Sequence, residues 1–196
     1  MKRPDLLAAA EPVAEAFEKL GIPYYIGGSL ASSAYGLARS TMDVDMVADL
    51  GPKHARPLVE MLESSYYIDE GMILEAIRNR SSFNMIDLET MFKIDIFITR
   101  NSPHDIETFK RRRRETLHEE QCAARFYLAS AEDVVLNKMA CFRLGADASD
   151  RQWHDILGVF KVQQESLDMM YLRHWASELN VQDLLERAVR DAGLAN

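Results

Sequence analysis

The stretch IGGSLASSAYGLARSTMDVDMV, residues 26–47, decides the fold. Its last five residues, Asp43-Val44-Asp45-Met46-Val47, alternate acidic and apolar up to Met46. Successive side chains of a β-strand point to opposite faces, so Asp43 and Asp45 share one face while Val44 and Met46 turn into a core. Two carboxylates on one face repel unless a positive charge lies between them. Magnesium suits that place, because it takes oxygen ligands and keeps waters for substrate phosphates. A solvated strand face carrying two acids would give the same pattern. Upstream, Gly27-Gly28-Ser29 falls between a short β-prone run and a helix, where glycine lets a phosphate approach backbone N–H groups at the positive helix end. A turn that merely needs glycine reads the same way. No Gly-Lys-Ser/Thr follows, so this is not a Walker loop. Strand, Gly-Ser turn, helix and Asp-x-Asp strand, in that order, can bring phosphate and metal to one end of a sheet.

Outward from this stretch the chain continues to alternate. A helix is expected from about Asp5 to Leu20, stopped by Gly21 with Pro23 beyond it. IPYYI (22–26) is β-prone, and Leu30, Ala34 and Leu37 recur at helical spacing before the acidic strand. PLVEMLES (57–64) resumes a helical period, and SFNMIDL (82–88) and MFKIDIFI (91–98) read as two strands joined by a tight turn. In the second of these Ile94, Ile96 and Ile98 fill one face and leave Lys93 and Asp95 on the other. If that strand neighbours the Asp43–Asp45 strand, Asp95 joins the acids. Asp87, near the end of the hairpin, competes for the role. Asp95 is preferred because it stands in a longer β-branched run, where an acid without a partner is costly.

Ser102, Pro103 and Asp105 form a capping box for another helix, and RFYLA (125–129) reads as a strand. Ser130–Asp133 and Ser149–Gln152 fit further capping boxes, and Asn180–Asp183 is a candidate start for a last helix. The expected fold is therefore α/β: a small mixed β-sheet with flanking helices over residues 1–129, then a C-terminal helical subdomain over 130–196.

Composition bounds the function. The 196 residues are 47% apolar and 28% charged, ordinary for a water-soluble globular protein with a real core. No apolar run approaches the ~20 residues of a membrane span. Asp5, Glu11, Glu15 and Glu18 break any signal-peptide core, so the first segment is expected to be a helix of the mature protein. Cys122 and Cys141 make no CxxC pattern, which suggests neither a disulfide framework nor a zinc knuckle and fits a cytoplasmic location with reduced thiols. A net charge of −8 argues against wholesale coating by nucleic acid and leaves room for a local basic patch. The run Lys110, Arg111, Arg112, Arg113, Arg114 is such a patch, read either as a solvated helix end or as an RNA contact. His118-Glu119-Glu120-Gln121-Cys122 lacks the second histidine of a zinc-protease motif, the five histidines are scattered, and Ser32 and Ser33 have no nucleophile-elbow context.

Taken together, residues 26–47 resemble the signature of the nucleotidyltransferase superfamily that includes DNA polymerase beta, kanamycin nucleotidyltransferase and the CCA-adding enzymes. That signature is a hydrophobic residue, Gly followed by Gly or Ser, a helix, an acid–hydrophobic–acid–hydrophobic strand, and a third acid on a later strand. Gly28, Ser29, Asp43, Asp45 and Asp95 fall on its positions. Arg39-Ser40-Thr41, Glu132 to Lys138 and Asp150 to Asp155 resemble motifs of the abortive-infection (AbiEii-like) branch. The resemblance implies that Asp43, Asp45 and Asp95 are catalytic and hold Mg2+ or Mn2+. It implies that Gly27, Gly28, Ser29, Arg39, Thr41, Lys138 and Asp155 belong to the nucleotide site, with Lys138 on phosphate and Asp155 near the site or supporting Lys138. It further implies transfer of an NMP from an NTP to a hydroxyl acceptor with release of pyrophosphate. The acceptor would be RNA or protein, with residues 110–114 as the RNA contact that their charge alone suggests, and a cognate antitoxin-like protein would be a partner. A small, antibiotic-type acceptor and a non-catalytic nucleotide- or partner-binding module are the alternatives. On its own, the helix around Lys138 also reads as a solvated position beside the apolar face of Val135, Leu136, Met139 and Phe142.

Overall fold

Helix α1 (Leu6–Lys19) buries Leu6, Leu7, Ala10, Val13, Ala14 and Phe17, an apolar stripe at three- and four-residue spacing. It stops where expected. Gly21 takes a left-handed φ of +66°, which lets the Ile22 N–H reach back to the Phe17 carbonyl at 2.8 Å. The computed structural model describes residues 6–119, 122–146 and 149–194, so Asp5 lies outside the described residues, as do Glu120 and Gln121 of the histidine-containing stretch.

The chain divides into two units, one formed by Met1–Gly27 with Thr41–Leu128, the other by Gly28–Ser40 with Ala129–Asn196. The first is a sheet unit. Its strands are β1 (Tyr24–Ile26), β2 (Asp43–Ala48), β3 (Tyr66–Tyr67), β4 (Ser82–Asp87), β5 (Lys93–Ile98), β6 (Arg113–Glu119) and β7 (Cys122–Leu128). They form one mixed sheet in the order β3-β4-β5-β2-β1-β7-β6, with β2 parallel to β5 and β1 parallel to β7. Val44, Met46 and Ala48 of β2 and Ile94, Ile96 and Ile98 of β5 are all buried, as their alternation required. Beside the sheet lie α1, α3 (Ala55–Leu62), α4 (Glu70–Asn79) and α5 (Pro103–Arg111). Phe17 of α1 packs on Tyr24 of β1 at 5.6 Å, and Tyr24 meets Tyr127 of β7 edge-on at 5.7 Å. The Tyr66 hydroxyl donates to the Ala9 carbonyl at 2.7 Å, fixing β3 to α1.

Two local expectations change here. The capping box of α5 is present, with Ser102 accepting from the Asp105 N–H and Asp105 from the Ser102 N–H. The helix nevertheless ends at Arg111, and Arg113 and Arg114 open β6, so the basic run is half helix end and half strand. A charged strand such as β6 forms because β7 supplies its ladder, a partner that its own alternation does not reveal. Helix α4 is an addition to the expected elements, and Asp69 caps it by accepting from the Met72 N–H at 2.7 Å.

The second unit is helical: α2 (Gly28–Tyr35), α6 (Ala131–Leu144), α7 (Asp150–Gln163), α8 (Met169–Glu178) and α9 (Gln182–Asp191). Its core joins Val135, Leu136, Met139 and Phe142 of α6 to Trp153, Ile156, Val159 and Phe160 of α7 and to Leu172, Leu184 and Leu185. Ser130 and Ser149 cap α6 and α7 by accepting from the backbone N–H three residues on. Asn180 does not cap α9; it takes a left-handed φ of +56° and Val181 occupies the cap position. Past the end of α2, Gly36 lies against the backbone of α7. A Cβ there would fall 2.7 Å from the Val159 nitrogen and 2.8 Å from the Gly158 carbonyl carbon. Among the described residues, no helix is long and apolar enough to cross a membrane.

Candidate functional site

The parallel pairing of β2 with β5 sets Asp43 opposite Lys93 and Asp45 opposite Asp95. Residues opposite one another in a ladder point to the same face, so all three acids share the face that the apolar residues leave. They are half-buried, in contrast to the buried Val44, Met46, Ile94 and Ile96. The Thr41 hydroxyl donates to Asp43 Oδ1 at 2.8 Å and so fixes the orientation of that carboxylate. The Gly27 N–H donates to the Asp45 carbonyl at 2.9 Å, carrying the β1–β2 ladder one residue beyond β1. Asp95 Oδ2 is 2.7 Å from the ammonium of Lys93.

Asp87 plays a different part. Its Oδ1 accepts from the N–H groups of Glu89 and Thr90, both at 2.8 Å, so it is the acid that closes the β4–β5 turn. One further residue belongs to the acid face. Asn84 of β4 is the register partner of Asp95, which makes Asn84, Asp95 and Asp45 one polar row across three strands. Alternation within β4 put Asn84 opposite Phe83 and Met85, but nothing local said that its neighbour would be an acid.

Carboxylate oxygens on adjacent strands form a donor set that fits a hard divalent cation. In the present arrangement, among the described residues, no three acid, histidine or cysteine side chains enclose an ion position, and Asp95 is directed to Lys93.

The helical unit gathers the remaining candidates. Gly28 opens α2 with a left-handed φ of +56°, which favours glycine, and Ser29 follows it. Arg39 donates from Nε to Asp155 Oδ1 at 2.7 Å and from its terminal nitrogen to Asp155 Oδ2 at 2.9 Å, a two-point clamp. The same guanidinium also donates to the Ser29 hydroxyl oxygen. Lys138 Nζ donates to Asp155 Oδ2 at 2.8 Å. The Lys138 and Asp155 side chains are both buried, so this is an interior ion cluster and Lys138 is not a solvated position. Burial alone would raise the Asp155 carboxyl pKa. The hydrogen bonds and charges of Arg39 and Lys138 outweigh it and hold that pKa below its ordinary value.

The basic run is mostly engaged within the protein. Lys110 pairs with Glu107 at 3.2 Å and Arg114 with Glu18 at 3.1 Å. Arg112 donates to the Phe109 carbonyl and lies over the Tyr127 ring at 5.0 Å.

No family model and no curated protein sequence matches the chain. Solved structures do. An antigenic nucleotidyltransferase-like protein from Paracoccidioides brasiliensis matches with a TM-score of 0.56 at 15% identity, over 94% of this chain and 92% of that one. ANT(2")-Ia in complex with adenylyl-2"-tobramycin matches with a TM-score of 0.50 at 11% identity, over 89% of this chain and 96% of that one. At such identities the likeness speaks to the fold: the chain has a mixed α/β nucleotidyltransferase fold, a seven-stranded sheet with helices followed by the C-terminal helices α6 to α9.

Proposed function

We propose that this protein is a metal-dependent nucleotidyltransferase that moves an NMP from an NTP to a hydroxyl acceptor and releases pyrophosphate. The observation that carries the reading is the single-face arrangement of Asp43, Asp45 and Asp95 on paired parallel strands. Asp43 and Asp45, with Asp95, would hold Mg2+ or Mn2+. A divalent ion bound there neutralises phosphate charge and acidifies an acceptor hydroxyl. The chain's own part is positioning: Thr41 orients Asp43, and the β2–β5 ladder holds Asp45 beside Asp95. The acceptor oxygen then attacks the α-phosphorus in line as the bond to pyrophosphate breaks. Gly27, Gly28 and Ser29 are proposed to contact nucleotide phosphate through backbone N–H groups. Lys138 and Asp155 are proposed to act on the nucleotide through Arg39, whose guanidinium Asp155 clamps and which reaches Ser29.

Three acceptor classes follow: RNA, protein and a small hydroxyl compound. RNA would have to take the cations of residues 110–114 from their present partners, Glu107 for Lys110, Glu18 for Arg114 and the Tyr127 ring for Arg112. That observation favours a small hydroxyl compound, a reading also suggested by the adenylylated tobramycin in the complex of ANT(2")-Ia.

The test is incubation with each α-labelled NTP and Mg2+ in the presence of total RNA, a protein lysate or tobramycin. Magnesium-dependent label on one acceptor, lost in Asp45→Asn, is expected. No label on any acceptor, together with no binding of NTP in the presence of Mn2+, would overturn the enzyme reading.

A further inference from the structure

The acid face also carries its own cation. Lys93 stands two residues before Asp95 on β5, so the two side chains share a face, and the β2–β5 register sets Lys93 beside Asp43. Its ammonium lies 2.7 Å from Asp95 Oδ2. One ammonium therefore sits on the acid face, paired with Asp95 and beside Asp43. The Lys93 side chain is 46% exposed, so it can swing away into water at small cost.

We propose that Lys93 is a built-in counter-ion of the acid face that competes with divalent metal for Asp95 and must leave that carboxylate when metal binds. The inference rests on the reading of Asp43, Asp45 and Asp95 as metal ligands. Its physical basis is direct. A carboxylate oxygen that accepts an ammonium proton at hydrogen-bond distance is not available to coordinate an ion, and ammonium and divalent cation repel at such range. When metal displaces it, the ammonium remains tethered to the same strand, where a phosphate anion of the nucleotide can take the place of Asp95 as its partner. Nucleotide and metal would then favour each other's binding by way of one side chain.

The experiment is direct titration of Mn2+ into the parent, Lys93→Gln, Lys93→Arg and Asp95→Asn, by calorimetry or by the electron paramagnetic resonance signal of free Mn2+, with melting curves to establish that each variant is folded. Lys93→Gln should bind Mn2+ roughly three- to tenfold more tightly than the parent, the range expected from releasing one exposed ion pair and its repulsion. Lys93→Arg should stay near the parent. In an Asp95→Asn background the further change Lys93→Gln should have a clearly smaller effect, because the contested carboxylate is gone. Equal or weaker Mn2+ binding by Lys93→Gln would overturn the inference and leave the metal-site reading standing. Failure of both the parent and Lys93→Gln to bind Mn2+ would overturn the metal-site reading, and the inference with it.

Discussion

The two units each concentrate charge, and they do so in opposite ways. On the sheet unit, Asp43, Asp45 and Asp95 are half-buried, and Asp95 pairs with a lysine that is itself largely exposed. In the helical unit, Asp155 is buried and held by both Arg39 and Lys138. A half-buried cluster of like charge contributes little to stability or opposes it, which marks it as a candidate binding site. A buried cluster whose charges are all paired is a structural commitment, because removing one member leaves the others desolvated and unpaired. On the proposed function, acid residues of the same kind thus predict different failures in the two places: loss of transfer in one, loss of stability in the other.

The sharpest way to break that contrast is to neutralise both kinds of acid. On the proposed function, Asp43→Asn and Asp45→Asn should each lower nucleotidyl transfer by at least about a thousandfold, the several kcal/mol that metal-assisted charge stabilisation would supply. Their melting temperatures should be unchanged or slightly higher, since like-charge repulsion falls. An inactive variant that also melts far below the parent would erase the distinction.

Asp155→Asn should show the reverse pattern in the melting curve. Breaking a buried ion cluster costs roughly 3–5 kcal/mol, or a fall of about 6–20 °C for a chain of this size. The pH dependence has a definite sign. The Asp155 carboxyl is held below its ordinary pKa in the folded protein, so its contribution to stability is present above the ordinary carboxylate range and is lost as pH falls through the folded value. Acid unfolding of the parent should therefore include a component below about pH 4 that Asp155→Asn lacks. Identical acid limbs in the two proteins would return Asp155 to an ordinary surface-like role.

A smaller effect sharpens the picture of the helical unit. Gly36→Ala places a methyl against the Val159 and Gly158 backbone, where neither side can yield as a flexible side chain would. About 1–3 kcal/mol of destabilisation is expected, read as a shift in the denaturation midpoint at constant slope. A neutral result would mean that α2 and α7 separate without cost.

Period-two alternation made the acid face readable in advance. Asp43 with Asp45, and Lys93 with Asp95, had to share faces because a strand offers no other arrangement, and the apolar residues between them, Val44 and Ile94, left only one face for burial. The helix caps at Ser102, Ser130 and Ser149 were equally local, since a side chain that accepts from the N–H three residues on needs no distant partner. The Asp69 cap of α4 is local in the same way, accepting from the N–H three residues on. β6 is different in kind: a charged seven-residue strand is held by its partner β7 and carries no periodic apolar signal of its own.

What tertiary structure alone decided is which faces and which charges meet. The register that brings Asp95 beside Asp45 and Asn84 beside Asp95 is a property of strand pairing across gaps in sequence. The clamp of Arg39 on Asp155 spans 116 residues, and no composition or spacing within either segment encodes it. Alternation and capping are settled by neighbours along the chain, within one turn or one pleat. Partnership between distant charges is settled by burial, because only where water is excluded must each charge find the other.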